Sequence, residues 1–319
     1  MAETETGTRL TSLNRDSNAA QHPSKENEMP IIYHDLTFET ELPFPSQPTQ
    51  VPEPPDLRSY VSPFEWSTSR KSIVMAIGYV VTILAAYSAG SYSAGSDQLS
   101  MEFNKTPTAV TVGITTYSLG FGIAPMLLAP LSEMRGRYPV FVAKGVIFLV
   151  SQLGCALTHS FPGLLIARFF VGVGASNGAA LVGGLVTDLY HAEERNIPMA
   201  LFAASALFGT GLGPFCSGFI AQNLSWRWIF FVQVISAGLM VLTLILFLKE
   251  SRGSVLLHRK AKLLNGWHEA REQQGHVGLE IHAHGDGRPS QKVRYKVGSS
   301  DKKEELGKLI GLSVYRTFC

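Results

Sequence analysis

Long apolar stretches alternate with short polar interruptions through the middle of the chain. Each stretch is close to the roughly 20 residues that an α-helix needs to cross about 30 Å of hydrocarbon. Core helices of soluble proteins rarely reach this length repeatedly, so the pattern predicts an all-α membrane protein with six transmembrane helices. The predicted spans cover residues 73–95, 110–131, 140–158, 161–187, 198–222 and 228–248.

Charged residues are scarce in this middle region and common on both sides of it. Only 13 Asp, Glu, Lys and Arg residues lie between Ser72 and Leu248, whereas 17 precede this region and 22 follow it. Because charges in hydrocarbon cost several kcal/mol each, this distribution is typical of an integral membrane protein. The net charge of +2 excludes a generally basic nucleic-acid-binding protein.

The two flanking regions differ from the middle in composition. Residues 1–71 contain nine of the 17 prolines, and 11 acidic against six basic residues, which predicts a disordered cytosolic tail. Residues 249–319 carry 14 basic and eight acidic residues and are predicted to form a basic cytosolic loop. Within this loop we expect a short basic helix over 251–262, a loop over 273–300 and an amphipathic helix over 304–315.

Basic residues are distributed unequally over the interruptions, and this sets the predicted orientation. The side opposite the two termini carries only Lys105 and Arg227. Lys and Arg are retained on the cytosolic side, so both ends of the bundle are predicted to be cytosolic. The basic residues on the predicted cytosolic side include Arg70, Lys71, Arg135, Arg137, Lys144, Arg252, Arg259, Lys260 and Lys262.

A polar motif over residues 129–139 joins the second and third spans. Gly136 permits a tight turn. Glu133, Arg135 and Arg137 place one carboxylate and two guanidiniums at the ends of two helices. The motif is explained either by a cytosolic anchor in a tight hairpin or by a charge cluster with a functional role.

Arg168 is the only charged residue that lies well inside a predicted span. It lies about seven residues from the outer end of the fourth span, which corresponds to a depth of about 10 Å. An arginine at mid-span costs about 2.5–3.5 kcal/mol on insertion scales, so such a side chain normally faces a cavity or a partner. The alternative is that the side chain extends to the outer interface.

The fifth span contains small residues at a four-residue spacing. Gly209, Gly213 and Ser217 form one groove that lets another helix approach closely, and Gly218 follows directly. Pro214 is expected to bend the helix. Taken alone, the groove indicates only helix packing.

Together, in this order and on these spans, the three motifs resemble the major facilitator superfamily, and specifically its fungal multidrug drug:proton antiporter branch. The motif at 131–137 is similar to that family's loop between helices 2 and 3. Arg168 with Gly172 is similar to its helix 4 motif. The residues that resemble its antiporter signature in helix 5 are Gly209, Gly213, Pro214 and Gly218.

The resemblance covers about residues 64–262 and departs from the family pattern in two ways. Ala129, Glu133 and Met134 stand where the family usually has glycine, aspartate and often arginine. The family is built from two six-helix halves, whereas this chain is expected to hold the N-terminal half and the central loop and to be truncated before helix 7.

The resemblance also implies roles for individual residues. Arg168 is expected to couple proton movement to substrate movement. The residues expected to gate the conformational change are Glu133, Arg135, Gly136, Arg137 and Asp188, with Arg137 paired to Asp188. Tyr87, Tyr92 and Asn177 are candidates for the substrate cavity, or alternatively for packing contacts between helices.

The expected function is proton-coupled efflux of drugs or small organic toxic compounds, and the expected location is the plasma membrane. Its expected partners are the lipid bilayer, a small organic substrate and protons. Alternatives are an importer of small metabolites, and a half-length membrane protein that acts as a scaffold or a dominant-negative partner. One half is not expected to transport alone, because alternating access needs two bundles. Arg168 would then lie on an open face, and a second half or a homodimer would be required.

The sequence does not favour an enzyme, a cofactor or a metal site. It contains no Ser-His-Asp order with a motif context and no phosphate-binding glycine loop between a strand and a helix. His276, His282 and His284 lie in a Gly-rich polar segment without Cys, where a solvated loop explains them better than a metal site.

Overall fold

Helices dominate the part of the chain that the computed structural model describes, which is residues 31–40, 42, 55–248, 250–274 and 292–298. In these ranges the α-helices are α1 (Thr68–Ser91), α2 (Ser96–Phe103), α3 (Pro107–Arg135), α4 (Arg137–Leu157), α5 (Phe161–Ala175), α6 (Asn177–Leu189), α7 (Asn196–Asn223), α8 (Arg227–Phe247) and α9 (Gly253–Gln273). Two short strands, β1 (Ile31–Asp35) and β2 (Lys292–Lys296), pair outside the helical bundle.

Within the described residues, five helical segments are long and apolar enough to cross a membrane. They are Thr68–Phe103, Pro107–Leu128, Arg137–Leu157, Asn196–Asn223 and Arg227–Phe247, the first of which runs from α1 through a tighter turn into α2. The outward faces of α7 and α8 expose large apolar side chains, including those of Leu207, Phe215, Leu239 and Leu246. Such a surface suits hydrocarbon rather than water.

The fourth predicted span is divided into two helices, α5 and α6, at Ser176. The Ser176 N–H still donates to the Gly172 carbonyl at 3.0 Å, but its ψ of −4° departs from the regular helix. Gly172 and Gly174 precede the interruption, and glycine is a weak helix former. The six predicted spans therefore coincide with five long helices and one interrupted pair.

Small residues let the helices of the bundle touch through their backbones. A Cβ at Gly209 or Gly213 would come within 2.6 Å of a carbonyl oxygen of α1, so the groove predicted in the fifth span is the surface on which α1 packs. Gly218, in contrast, has nothing within 4 Å of its Cβ position. The helix α7 continues through Pro214. On the other side of the bundle, the Gly172 backbone of α5 lies directly against α3.

The strands correct the expectation for the two flanking regions. β1 lies within residues 1–71, which the composition predicts to be disordered, and β2 lies within the predicted loop 273–300. The strands pair in parallel, with Ile31 opposite Lys292. The helix α9 also runs to Gln273 instead of ending near residue 262.

A small apolar core explains why the disorder prediction is wrong for β1. Leu36 after β1 packs with Leu264 of α9 and with Val293 and Tyr295 of β2. The apolar partners of the tail come from the opposite end of the chain, so local composition cannot reveal them. The amphipathic helix predicted over 304–315 lies outside the described residues.

Candidate functional site

An ion cluster lies where α3 and α6 end and α4 begins, at the end of the bundle that holds Gly136, here named the Gly136 end. Arg137 Nε donates to Asp188 Oδ2, and Arg252 Nη1 donates to Asp188 Oδ1 at 3.3 Å. The Arg137 and Asp188 side chains are only 7% and 13% exposed. The predicted contact between Arg137 and Asp188 is therefore present, and one carboxylate holds two guanidiniums.

Glu250 joins this cluster from the segment that follows α8. Its Oε1 accepts hydrogen bonds from the backbone N–H groups of Arg137 at 3.0 Å and Arg252 at 2.9 Å, and its Oε2 accepts from Tyr138 at 3.3 Å. A carboxylate in this position satisfies N–H groups that have no partner inside α4 and faces the positive end of the helix dipole. Gly136 has a φ of +99°, and a Cβ there would overlap the Glu250 carboxylate.

Sequence reasoning missed part of the ion cluster. Glu250 is not among the predicted site residues, and Arg252 entered only as a basic residue that sets orientation. The available signal is an acid and a base directly after the sixth span, but no spacing rule connects residue 250 to the start of α4. Arg135 is exposed, and the side chain of Glu133 lies outside the described part of the structure.

Arg168 is completely buried in the bundle. Its guanidinium lies between the rings of Tyr92 and Tyr117, at 4.5 and 4.9 Å from their centroids, and its Nη1 donates to the Ser88 carbonyl at 3.3 Å. The alternative that Arg168 extends to the interface is therefore wrong. The expectation that it lies on an open face is also wrong, because its side chain is fully buried among residues of α1 and the turn after it, α3 and α4.

A chain of buried polar side chains runs beside Arg168 and connects three helices. Gln152 of α4 donates to Ser88 Oγ of α1 at 2.8 Å and to Gln233 Oε1 of α8 at 2.6 Å, and Gln233 donates to Ser91 Oγ of α1 at 2.8 Å. All four side chains are buried. Sequence reasoning missed Gln152 and Gln233. The available signal is that each is the one amide side chain in its predicted span.

A cavity of about 350 Å³ opens between α1, α3 and α7. Thr82, Ala85 and Ala89 line it from α1, Tyr117 and Phe121 from α3, and Phe202, Ala206 and Thr210 from α7, together with Ala86 and Ser118. The lining is mainly small and aromatic, as is common in sites for small organic ligands. Tyr117 belongs both to this cavity and to the surroundings of Arg168.

The residues predicted to line a substrate cavity occupy other positions. The Tyr87 hydroxyl lies 3.2 Å from Ser217 Oγ, at the contact of α1 with α7. The Tyr92 hydroxyl donates to the Val110 carbonyl at 3.0 Å, and neither tyrosine lines the 350 Å³ cavity. Both make the packing contacts that were the alternative interpretation. The Asn177 side chain lies outside the described side chains.

Lys144 is a further buried cation of the bundle, and the sequence interpretation counted it only among the basic residues of the cytosolic side. Its side chain is almost fully buried, and its Nζ donates to Ser176 Oγ at 3.0 Å. Ser176 is the residue at which α5 ends. A cation at the C-terminus of a helix faces the negative end of the helix dipole, so Lys144 stabilises the interruption between α5 and α6.

The opposite end of the bundle, here named the Trp226 end, is held by a second ion pair. Glu102 of α2 accepts hydrogen bonds from Trp226 Nε1 at 2.5 Å and from Arg227 Nη1 at 2.8 Å. Gln98, also in α2, accepts from the Trp226 backbone N–H at 2.5 Å. These contacts connect α2 to the start of α8.

The helix α9 and the strand β2 form a polar contact outside the bundle. Arg294 donates to both carboxylate oxygens of Glu272, at 2.7 and 2.9 Å, and these hydrogen bonds lower the pKa of Glu272. Burial, together with the nearby charges of Arg271 and Arg294, lowers the pKa of His268 to about 4. In the described ranges no three His, Cys, Asp or Glu side chains come together as a metal site, and His276, His282 and His284 lie outside them.

Comparison with known proteins identifies transporters as relatives. The chain is 36% identical over 203 residues to the MFS transporter fsa7 of Fusarium sp., which covers 63% of this chain and 40% of that protein. It is 34% identical over 200 residues to the Trichosetin biosynthesis cluster MFS transporter of Gibberella fujikuroi, which covers 62% and 42%. It is 29% identical over 219 residues to the efflux pump radE of Floropilus chiversii, which covers 68% and 40%. The chain thus spans about two fifths of the length of these curated relatives.

A solved structure and a family profile also identify the chain as similar to transporters. The structure of the proton:xylose symporter XylE superposes with a TM-score of 0.54 at 18% identity, covering 66% of this chain and 54% of that chain. The profile of the Major Facilitator Superfamily matches residues 70–286. These relatives are transporters and not enzymes. With its membrane-spanning helices and this match over most of its length, the chain is an integral membrane protein that belongs to the Major Facilitator Superfamily.

Proposed function

We propose that this chain provides the N-terminal bundle of a proton-coupled exporter of small organic compounds in the plasma membrane, with both ends of the bundle in the cytosol. The observation that carries the proposal is Arg168, a fully buried cation beside a cavity of about 350 Å³. A buried charge in a membrane helix marks a substrate or ion pathway by default. One relative is named an efflux pump, which favours export over import.

The ion cluster at the Gly136 end is proposed to be the gate. Asp188 pairs with the buried Arg137 and with the partly exposed Arg252, and breaking a buried pair costs much more than breaking an exposed one. Such a cluster favours one of two discrete arrangements of the bundles, which is the property that a switch requires. Arg135 and Glu133, at the end of α3, are proposed to contact the second bundle in the closed arrangement.

The packing of α7 on α1 is proposed to let these two helices slide against each other by small distances. Gly209 and Gly213 bring the two backbones together without interlocking side chains between them. Small-residue interfaces of this kind allow close approach and small sliding movements. Pro214 and Gly218, which complete the antiporter signature, lie in the same helix.

Arg168 is proposed to couple protons to substrate. Its permanent positive charge lies in a low-dielectric environment, where charges interact strongly. The affinity of a neighbouring group for a proton therefore depends on which other charges are present, and this dependence is a coupling free energy between proton and substrate. Alternating access also needs a second bundle around the cavity, supplied either by a further six-helix half or by a second copy of this chain.

Efflux measurements test this proposal. Residues 1–319 are expressed in a host without its own drug pumps, alone and together with the C-terminal half of the relative from Fusarium, and loss of a fluorescent lipophilic compound is followed. We expect efflux that a protonophore abolishes when both bundles are present, no efflux from one bundle alone, and no efflux with Arg168→Gln. Accumulation of the compound would favour the importer. Absence of movement in every arm, with the protein in the membrane, would favour a non-transporting role. Efflux from the chain expressed alone would favour a homodimer.

A further inference from the structure

We propose that Arg168 binds the carboxylate, or an equivalent two-oxygen anionic group, of an organic substrate, and that Tyr117 closes this site from the cavity. The inference rests on the proposed transport function and adds to it the chemical class of the substrate. Three observations support it. One edge of the Arg168 guanidinium makes no hydrogen bond, Arg168 has no acidic partner in the described part of the bundle, and Tyr117 lies between Arg168 and the cavity.

The unpartnered atoms of Arg168 form one edge of its guanidinium. Nη1 donates to the Ser88 carbonyl, whereas Nε and Nη2 have no hydrogen-bond partner. Nε and Nη2 lie on the same side of the planar group, and this pair donates side-on to the two oxygens of a carboxylate. A buried charged donor without an acceptor costs free energy. A ligand with two acceptor oxygens, one for Nε and one for Nη2, would remove this cost.

The charge balance around Arg168 points to the same ligand. In the described structure the side chains that interact with it are neutral: Tyr92, Tyr117 and Cys155. The salt bridges of the described ranges involve other residues and do not include Arg168. An organic anion would supply the missing negative charge, whereas a cation would be repelled in this low-dielectric environment.

Tyr117 separates this site from the cavity. Its ring covers the guanidinium at 4.9 Å and also lines the 350 Å³ cavity, and its hydroxyl donates to the Ala85 carbonyl at 2.9 Å. A rotation of this one side chain, which breaks one hydrogen bond, would connect Arg168 with the cavity. Phe121 stacks beside Tyr117 at 6.2 Å and offers an apolar surface for the rest of the substrate.

Cys155 provides a native reporter for this site. It is fully buried in the same cluster as Tyr92 and Tyr117 and lies within electrostatic range of Arg168. Replacing the other two cysteines by serine leaves Cys155 as the reactive thiol of the full chain. A reference variant keeps only Cys216, which is partly exposed on α7.

The first test compares thiol reagents of opposite charge on the purified full chain in lipid nanodiscs. With Tyr117→Ala to open the site, Cys155 reacts with a sulfonate-bearing and with a trimethylammonium-bearing methanethiosulfonate. After normalisation to Cys216, we expect a preference of at least about ten-fold for the anionic reagent, and its loss with Arg168→Gln. Equal rates, or a preference that Arg168→Gln leaves unchanged, would overturn the proposal. If Tyr117→Ala does not fold, Tyr117→Phe removes only the hydrogen bond to Ala85 and serves the same comparison.

The second test uses the same opened protein and measures protection of Cys155 from N-ethylmaleimide by benzoate and by the neutral analogue benzamide. We expect benzoate alone to slow the reaction, by at least about five-fold at saturation. Arg168→Lys keeps the charge but loses the two-donor edge, so it should keep the reagent preference and lose most of the benzoate protection. Equal protection by benzoate and benzamide would refute an anion site. Because neither test measures transport, anion binding and export can fail independently of each other.

Discussion

Removing the carboxylate of Asp188 is expected to destabilise the bundle more than removing either cation that it holds. Asp188 accepts from Arg137 and from Arg252, and it is 13% exposed. Asp188→Asn preserves the shape of the side chain and removes the negative charge that Arg137 and Arg252 share. Arg137→Gln, in contrast, leaves Asp188 paired with Arg252.

The expected magnitudes follow from this asymmetry. Removing one partner of a buried ion pair costs about 3–5 kcal/mol, because the remaining charge stays buried without compensation. We expect Asp188→Asn to lie in this range. Arg137→Gln is expected to cost less, and the double variant is expected to cost at least about 1 kcal/mol less than the sum of the two single changes.

The assay is reversible denaturation of the purified full chain in mixed micelles, with the free energy of unfolding measured for both single variants and for the double variant. The ion pair at the Trp226 end supplies the matched control, because Glu102 and Arg227 are 39% and 23% exposed. Glu102→Gln should cost no more than about 1 kcal/mol. Additive effects of Asp188→Asn and Arg137→Gln, or equal losses at the two ends of the bundle, would refute the reasoning.

Three further predictions concern other parts of the structure. Gly136→Ala should lower the melting temperature, because Gly136 has a φ of +99° and the added Cβ would overlap Glu250. Gly211→Ala should leave the melting temperature unchanged, because no atom lies within 4 Å of its Cβ position. Equal melting temperatures of the two variants would count against this view. Glu250→Gln should cost about 1 kcal/mol in the same denaturation assay, because an ionised acceptor at the start of α4 becomes neutral, and an unchanged value would argue against a capping role. Acidification should weaken the contact of α9 with β2, because the pKa of His268 is about 4 in the folded protein and 6.5 in its unperturbed state. The contribution of His268 to stability is therefore complete above pH 6.5 and is lost as the pH falls toward 4. Hydrogen exchange in α9 between pH 7 and pH 4.5 measures this loss, and His268→Gln should reduce it; the same pH dependence in both proteins would exclude His268 as the cause.

The membrane character of this protein and the positions of its motifs were predictable from the sequence, because they depend on local properties. A run of apolar residues near the length of a span indicates a transmembrane helix wherever it occurs. The four-residue spacing of Gly209 and Gly213 likewise places them on one helical face without knowledge of the partner helix. The pairing of Arg137 with Asp188 was predictable only through resemblance to a family.

What surrounds each polar group was decided by the tertiary structure. Sequence alone left Arg168 with three possible surroundings, and only the packing of α1 and α3 around α5 places it between two tyrosine rings. Glu250 caps a helix that begins 113 residues earlier in the chain. β1 is ordered by a strand from the opposite end of the chain. Local hydrophobicity determines whether a segment enters the membrane, but a buried charge is stabilised by whichever helix packs against it, and that partner depends on how the whole chain folds.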